Sequence, residues 1–185
     1  MFARTDRLLL RPGWAEDAPA LARAIGDRTI VRNLANAPWP YTLADAEAFL
    51  AKPRDPILPN LLLFARTSGA PDLVGSCGLL RRGGTGSIVL GYWIARAHWG
   101  RGYATEACRQ LVEIARTIGL ATIDSSHFID NQASGRVLEK LGFRPLGVTA
   151  PKMSCARGAE VPARLYRLEL RPSAGARATM EPIAA

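Results

Sequence analysis

Residues 90–120 read LGYWIARAHWGRGYATEACRQLVEIARTIGL and combine three local patterns. The hydrophobic run at residues 87–94 is rich in β-branched and aromatic side chains, which predicts a buried strand. Residues 104–118 carry apolar side chains at helical spacing, which predicts an amphipathic helix. The connector contains Gly100 and Gly102, where the backbone can approach a ligand without a Cβ in the way. A strand, a glycine-containing turn and a helix in this order are typical of an anion-binding site.

The start of the predicted helix favours a phosphate ligand. Its first N–H groups are unpaired and its dipole attracts negative charge, while Arg101 adds a fixed positive charge and a forked donor. No lysine follows Gly102, as a nucleoside-triphosphate P-loop requires, and Thr105 replaces the third glycine of a dinucleotide fingerprint. We therefore expect a pyrophosphate here. The alternative is a plain turn between strand and helix that binds nothing.

Composition limits the class of protein. With 185 residues, of which 48% are hydrophobic, the chain can bury the core of one domain, which we place at residues 1–172 with a disordered tail at 173–185. No run of roughly 18 apolar residues is present, so no membrane span is expected. The three cysteines are widely spaced and match neither a disulfide framework nor a metal site, which favours a reducing, cytoplasmic setting. Abundant alanine and arginine indicate a bacterial source with a GC-rich genome.

The formal net charge of +8 favours anionic ligands. The basic residues are scattered and interleaved with acidic ones, and no nucleic-acid-binding motif is present, which disfavours a nucleic-acid partner. A polyanionic cofactor or a ribosomal setting would use the same charge.

The remaining patterns predict a mixed α/β domain with the order β-α-α-β-β-β-α-β-α-β-β. Strands are expected at residues 4–11, 61–66, 73–80, 87–94, 122–129, 143–148 and 164–170. Helices are expected at residues 15–25, 43–51, 104–118 and 131–141. Thr42 is the predicted N-cap of the second helix, Gly142 ends the fourth, and residues 149–162 are predicted to be an exposed arm. A ligand crevice is expected at the carboxyl ends of the fourth and fifth strands.

Four segments together resemble one protein family. They are TDRLLLRP at residues 5–12, GYWIARAHWGRGYATEA at 91–107, DNQASGRVLEKLGF at 130–143 and RLYRLEL at 164–170. In this order and spacing they resemble the GNAT acetyltransferase superfamily, and within it the RimJ/RimL-like branch, which acetylates protein N-termini or small amines. The resemblance implies an α/β GNAT fold with a mixed, mostly antiparallel central sheet of about seven strands, flanked by about four helices. It also implies a splay between the fourth and fifth strands.

The resemblance implies acetyl-CoA as the acyl-donor cosubstrate, and no metal. The superfamily's pyrophosphate loop, [QR]-x-x-G-x-[GA], falls on residues 99–104, with Trp99 in place of the first Gln or Arg. Backbone amides of residues 101–105 would bind the pyrophosphate, and the strand backbone at 92–94 would pair with the pantetheine arm. The implied cofactor contacts are Tyr92, Trp93, Ile94, Trp99, Gly100, Arg101, Gly102, Tyr103, Ala104, Thr105, Asn131 and Ser134.

Asn131 and Ser134 match the N-x-x-S of the branch that faces the cofactor, although an asparagine at a helix start is otherwise often only a cap. Direct transfer needs a polarised carbonyl, a base for the amine and an acid for the thiolate. The Ile94 backbone N–H is the implied donor to the thioester carbonyl. The superfamily often has a tyrosine acid where this chain has Leu138, so Ser134 is the candidate general acid.

No side chain is clearly the base. The superfamily's common base position holds Ser126 rather than a glutamate. His127 and Glu160 are the candidates, against the alternatives of a structural histidine, a solvated glutamate and a relay through ordered water.

The acceptor site is expected between residues 28–41 and 149–162, where Trp39 and Tyr41 either line a pocket or pack as ordinary loop aromatics. The predicted reaction is transfer of acetyl to a protein N-terminal amine or a small-molecule amine through a ternary complex. The alternative function is a non-catalytic acyl-CoA-binding or regulatory module on the same fold. Because dimers are common in the superfamily, the resemblance also implies a possible homodimer.

Overall fold

A computed structural model describes residues 1–67, 69–83 and 86–170, so the tail predicted at 173–185 lies outside the described residues. The strands are β1 (Ala3–Arg4), β2 (Leu8–Arg11), β3 (Asn60–Ala65), β4 (Asp72–Arg81), β5 (Ile88–Ile94), β6 (Thr122–Phe128), β7 (Arg144–Ser154) and β8 (Ala159–Glu169). The α-helices are α1 (Ala18–Ile25), α2 (Arg28–Val31), α3 (Leu43–Leu50), α4 (Tyr103–Thr117) and α5 (Gln132–Lys140).

The eight strands of the described residues form one sheet in the order β1-β2-β3-β4-β5-β6-β8-β7. All neighbours are antiparallel except β5 and β6, which are parallel. In the described residues β5 and β6 pair only where Val89 lies opposite Asp124, near the start of both strands. Just beyond this point the Ser125 hydroxyl donates to the Leu90 carbonyl at 3.0 Å. The strands then separate toward their carboxyl ends, which confirms the predicted splay and opens a crevice in the sheet.

Helices cover both faces of the sheet. The α4 helix buries the apolar stripe predicted from its spacing against the main core, which also takes in Leu138 of α5. On the other face, α1 and α3 pack around a second cluster that includes Leu62 and Phe64. Because side chains alternate along a strand, β5 contributes to both faces: Tyr92 packs against the main core and Trp93 against the second cluster.

The fold class is confirmed, and several boundaries differ from the prediction. The first predicted strand divides into β1 and β2, because the Thr5 side chain accepts a hydrogen bond from Leu8 N–H at 3.0 Å and turns the chain. Helix α2 was missed; it begins after Asp27, whose carboxylate accepts from Thr29 N–H at 2.8 Å. Thr42 caps α3 as predicted, since its side chain accepts from Asp45 N–H.

The arm predicted at residues 149–162 is mostly exposed, but it belongs to the sheet, because the strands predicted to end at residue 148 and begin at residue 164 extend through it. This segment extends β7 and β8 into a long hairpin, whose tip is the short 3-10 turn Cys155–Arg157. Pro151 and Pro162 lie opposite each other in the register. Proline is tolerated at Pro151 because β7 is the last strand of the sheet, and Pro162 lies just beyond Ala163, the residue of β8 that is paired with the end of β6.

Candidate active site

The carboxyl half of β5 borders the opening between β5 and β6. Alternate residues of an antiparallel ladder bond to the partner strand, and Ala95 N–H donates to the Val74 carbonyl at 2.8 Å. The backbone groups of Tyr92 and Ile94 are therefore directed away from β4 and toward the opening. On this side the Ile94 carbonyl accepts a hydrogen bond from the Trp99 indole nitrogen at 2.7 Å. The Ile94 N–H lies beside the opening, where the sequence predicts a donor to the thioester carbonyl.

The loop between β5 and α4 contains two residues in the left-handed conformation. Gly100 has a φ of +75° and Gly102 a φ of +80°, which glycine adopts without steric cost. A Cβ placed on Gly100 would meet no other atom within 4 Å, so the loop leaves space for a ligand. The first helical hydrogen bond of α4 runs from Glu106 N–H to the Gly102 carbonyl at 3.1 Å, which leaves the preceding N–H groups without partners inside the helix. This is the backbone arrangement that an anion requires.

A carboxylate at the start of α4 ties this loop to the N-terminal strands. Glu106 accepts hydrogen bonds from the Thr5 hydroxyl at 2.6 Å, from Arg7 N–H at 3.0 Å and from Arg7 Nε at 2.7 Å. Arg7 also donates from Nη1 to the Arg101 carbonyl at 2.9 Å, and its guanidinium lies 4.8 Å from the centre of the Tyr103 ring. Burial opposes ionisation of Glu106, but these hydrogen bonds and the Arg7 charge outweigh it and lower the pKa of the carboxyl.

Sequence reasoning missed this anchor. The two partners occur in the segments TDRLLLRP and GYATEA, and 99 positions of the chain separate Arg7 from Glu106. Both segments contributed to the family resemblance, which was the one signal that linked them. It carried no information on which side chains touch.

On the opposite side of the opening, α5 begins with the predicted Asn131 and Ser134. Asn131 is the N-cap of the helix and its side-chain oxygen accepts from Ser134 N–H at 3.4 Å. The Ser134 hydroxyl lies 2.7 Å from the Tyr92 hydroxyl, which is also 3.2 Å from the Ser134 carbonyl. Burial raises the pKa of Tyr92 far above its usual value, so this phenol stays protonated. The sequence predicted a backbone role for Tyr92 and missed its side chain.

The structure places the two base candidates in different environments. His127 is 8% exposed, with Nδ1 2.8 Å from the Phe128 carbonyl and Nε2 3.4 Å from the Tyr166 hydroxyl. A Cβ on Gly135 would lie 2.7 Å from its Nε2, so α5 covers the ring closely. These contacts favour the structural interpretation of His127. Glu160 lies opposite Met153 near the hairpin tip and is exposed, and its carboxylate has no hydrogen bond or ion pair within the described ranges.

A lysine that the sequence placed in the exposed arm contacts Ser126, the position where the resemblance implies a base. Lys152 Nζ donates to the Ser126 hydroxyl at 2.8 Å. Because His127 faces α5, the neighbouring Ser126 faces the opposite side of the sheet, where α1 and α3 lie. Burial lowers the pKa of half-buried Lys152, the charge of Arg82 lowers it further, and Asp124 opposes this effect.

The two segments predicted to form the acceptor site meet in the structure. Cys155 N–H donates to the Ala35 carbonyl at 3.0 Å, which joins the hairpin tip to the loop after α2. Arg157 donates to the Arg32 carbonyl at 2.8 Å. Both arginines also pair with Asp130, Arg157 at 2.8 Å and Arg32 at 2.9 Å. The hydrogen bonds from Arg157 and the two positive charges lower the pKa of Asp130 despite its partial burial.

The two aromatic residues predicted for the acceptor site differ in burial. Trp39 is 41% exposed. Tyr41 is half-buried and packs against the cluster of Ile25, Ile30 and Val31, together with Trp93. Burial and the nearby Asp45 charge raise the pKa of Tyr41 to about 12. Tyr41 therefore joins the acceptor loop to the strand that borders the opening, while Trp39 is available at the surface.

These features define a class of protein: an α/β fold in which a helix start with unpaired N–H groups lies beside a splayed pair of parallel strands. A profile of the Acetyltransferase (GNAT) domain matches residues 7–144, and the chain belongs to this family. By class it is an N-acetyltransferase, as are the relatives named below.

Individual relatives agree with this assignment. The chain is 28% identical over 153 residues to the uncharacterized N-acetyltransferase YoaA of Bacillus subtilis (strain 168), covering 78% of this chain and 83% of the relative. Among solved structures, RimL, a ribosomal L7/L12 alpha-N-protein acetyltransferase in complex with coenzyme A, has a TM-score of 0.75 at 15% identity and covers 94% of this chain and 100% of its own. The spermidine N-acetyltransferase of Vibrio cholerae with CoA and spermine has a TM-score of 0.73 at 17% identity, covering 91% and 98%. At these identities the two structures show a shared fold.

Three further observations concern the described residues. None of their helices has the length and apolar character needed to cross a membrane. No group of three or more His, Cys, Asp or Glu side chains among them is arranged to hold a metal ion. All three cysteines of the chain are free, Cys77 and Cys108 in the core and Cys155 at the surface.

Proposed function

We propose that this protein transfers an acetyl group from acetyl-CoA directly to a primary amine in a ternary complex. The observation that carries the proposal is the opening between β5 and β6, with the Ile94 N–H at its edge and the start of α4 at its mouth. In this arrangement the backbone of β5 and of the following loop can bind both the reacting carbonyl and the phosphates of one ligand. The family membership supports the same chemistry.

The donor side of the crevice comprises β5, residues 95–102 and the first turn of α4. Backbone amides of residues 101–105 bind the pyrophosphate, and the Arg101 side chain adds positive charge. The pantetheine arm lies along the outward-facing backbone of Tyr92 and Ile94 as an added strand. Trp99 acts through its hydrogen bond to the Ile94 carbonyl, which closes the loop against β5.

The reaction begins when a neutral amine attacks the thioester carbonyl carbon. The Ile94 N–H stabilises the negative charge that develops on the carbonyl oxygen. The carbonyl re-forms as the carbon–sulfur bond breaks with its electron pair on sulfur, and the Ser134 hydroxyl donates its proton to the leaving thiolate. The amine loses its proton to water in the crevice, and this water returns a proton to Ser134. This route needs neither His127, whose ring nitrogens are already engaged, nor Glu160.

The acceptor side comprises residues 28–41 and the tip of the β7–β8 hairpin, including Trp39 and Tyr41. The named acceptors of structural neighbours are a ribosomal protein N-terminus and spermidine, so a peptide N-terminus and a small amine are the two acceptor classes to test. The RimJ/RimL-like assignment, a cytoplasmic setting and a homodimer remain predictions from the sequence.

Thiol release provides the test. The protein is incubated with acetyl-CoA and peptides with free N-termini, the same peptides with blocked N-termini, and small amines including spermine. We expect thiol release that depends on a free primary amine. Tight acetyl-CoA binding without release across the whole panel would contradict the proposal and support the acyl-CoA-binding module.

Ser134→Ala tests the acid role within the same assay. We expect turnover to fall by about tenfold, with acetyl-CoA affinity unchanged by calorimetry. Equal losses in turnover and affinity would assign Ser134 to cofactor binding rather than to proton donation.

A further inference from the structure

The position from which the superfamily often supplies a tyrosine acid holds Leu138, which is fully buried. The structure nevertheless brings a phenol to α5 from the facing strand. Tyr92 projects from β5 and places its hydroxyl 2.7 Å from the Ser134 hydroxyl and 3.2 Å from the Ser134 carbonyl. Ser134 and Leu138 are four positions apart and therefore share one face of α5. The Tyr92 hydroxyl therefore reaches the face of α5 that carries Leu138, but it comes from β5 instead of from the helix itself.

The hydrogen-bonding capacity of these groups limits how they are arranged. Each hydroxyl has one proton to donate and lone pairs to accept, and the Ser134 carbonyl only accepts. If the Tyr92 hydroxyl donates to Ser134 Oγ, the Ser134 proton is free for a third group. A thiolate is such a group, because a charged acceptor strengthens the hydrogen bond it receives. The departing sulfur therefore favours the arrangement in which Tyr92 donates to Ser134.

We propose that Tyr92 is a positioning residue for acetyl transfer, whose hydroxyl donates to Ser134 Oγ and aims the Ser134 proton at the leaving sulfur. This inference rests on the proposed function and adds a residue to it. No covalent bond to Tyr92 forms or breaks. The electron pair of the carbon–sulfur bond goes to sulfur, and the phenol keeps its proton throughout. We therefore expect the pH–rate profile to keep the same shape when Tyr92 is substituted.

A double-mutant cycle tests whether Tyr92 acts through Ser134. Turnover and acetyl-CoA affinity are measured for the native protein, Tyr92→Phe, Ser134→Ala and the double variant. We expect Tyr92→Phe to lower kcat about tenfold, with affinity within about twofold and an unchanged pH profile. We expect no further loss when Tyr92→Phe is added to Ser134→Ala. Additive losses, or full turnover in Tyr92→Phe, would overturn the proposal.

Tyr166→Phe is the matched control. This variant also removes a phenol hydroxyl next to α5. The Tyr166 hydroxyl lies 3.4 Å from His127 Nε2 and 3.4 Å from Glu139 Oε1. We expect this variant to lose some thermal stability and to keep its kcat. A loss of kcat as large as that of Tyr92→Phe would show that any buried hydroxyl has the same effect, which contradicts a specific role for Tyr92.

A second measurement does not depend on turnover. In a Cys155→Ser background, Ser134→Cys places a thiol at the position of the Ser134 hydroxyl, and its alkylation by iodoacetamide is followed against pH with and without Tyr92→Phe. A phenol that donates to the sulfur stabilises the thiolate, so we expect Tyr92→Phe to raise the thiol pKa by about one unit. An unchanged pKa would refute the donated hydrogen bond. If the native protein releases no thiol with any amine, the proposed function fails and the catalytic part of this proposal fails with it, whereas the titration still decides whether Tyr92 donates to the atom at the Ser134 Oγ position.

Discussion

The donor side and the acceptor side of the crevice are both fixed by contacts between arginine and a carboxylate, but the two carboxylates differ in exposure. The Glu106 side chain is 16% exposed and accepts from both the backbone and the side chain of Arg7. The Asp130 side chain is 43% exposed and pairs with Arg32, which is 48% exposed, and with Arg157, which is 16% exposed. Arg7, the partner of Glu106, is 49% exposed. Solvent screens an exposed pair strongly, and a part-buried one much less.

This difference concerns the carboxylates rather than the arginines. Glu106 follows a loop with two left-handed glycines and is part-buried, so solvent screens its charge less. The acceptor wall is joined by the exposed Arg32–Asp130 pair and by Arg157, which is part-buried and donates to both Asp130 oxygens, together with a few backbone hydrogen bonds. We infer that removing the charge of Glu106 costs more than removing the charge of Asp130.

The largest effect is expected at the donor loop itself. Gly102→Glu places a side chain at a φ of +80° and a negative charge where we propose that the pyrophosphate binds. We expect acetyl-CoA affinity to fall by about 100-fold or more by calorimetry. Gly119→Glu is the control, because Gly119 also has a positive φ, +77°, but lies after the far end of α4. Unchanged affinity in Gly102→Glu would refute the placement of the pyrophosphate.

The next effect concerns the anchor of that loop. Glu106→Gln removes the charge that holds Arg7 and Thr5, so we expect acetyl-CoA to bind about tenfold more weakly while the KM for the acceptor stays the same. Glu113→Gln is the matched control on the same helix, because among the described residues the Glu113 carboxylate pairs with Arg116 alone, at the surface. Equal acetyl-CoA affinity in both variants would contradict an anchoring role for Glu106.

The same contrast explains what the sequence could predict. Periodicity located β5 and α4, and Gly102 was identified by the spacing of a short loop, because these features depend on neighbouring residues. The side-chain contacts between distant segments were not predictable. Arg7 and Glu106 are 99 positions apart, and Tyr92 and Ser134 are 42 apart. Local patterns contain no information about which of many polar side chains meet across a sheet.

The acceptor side shows a segment that local patterns left without structure. Residues 149–162 were predicted only as an exposed arm, yet Pro151 and Pro162 face each other within a hairpin. Lys152 reaches Ser126 because this part of the arm is strand β7, which is separated from β6 by β8 alone. A strand at the edge of a sheet has fewer hydrogen-bonding demands than a central one. The sequence does not show which strand lies at the edge.

A smaller effect is expected on the acceptor side. Asp130→Asn removes the charge shared by Arg32 and Arg157, which loosens the contact between the hairpin tip and the loop after α2. We expect the KM for the acceptor to rise about threefold, in line with the modest value of exposed ion pairs, and acetyl-CoA affinity to stay unchanged. Steady-state kinetics with each substrate varied in turn provides the measurement. A loss of acetyl-CoA affinity would show that the two sides are coupled.

The smallest effect is on the free energy of unfolding, and it can be measured by varying the pH. The pKa of Glu106 in the folded protein lies below its ordinary value of 4.5, so the folded state favours the ionised form. Its contribution to the free energy of unfolding is complete above pH 4.5 and is lost as the pH falls through the lowered pKa. The contribution of Asp130 to the free energy of unfolding is also lost as the pH falls, and this loss begins at its ordinary pKa of 3.8.

Urea unfolding of the native protein, Glu106→Gln and Asp130→Asn at pH 7, 5 and 4 measures these contributions. At pH 7 we expect Glu106→Gln to lower the free energy of unfolding by about 1–2 kcal/mol, because its hydrogen bonds are charge-assisted and part-buried. We expect less than about 1 kcal/mol for the exposed Asp130. The difference in the free energy of unfolding between the native protein and Glu106→Gln should become smaller below pH 4.5. A difference that stays constant with pH would mean that Glu106 stabilises the donor loop by packing rather than by charge.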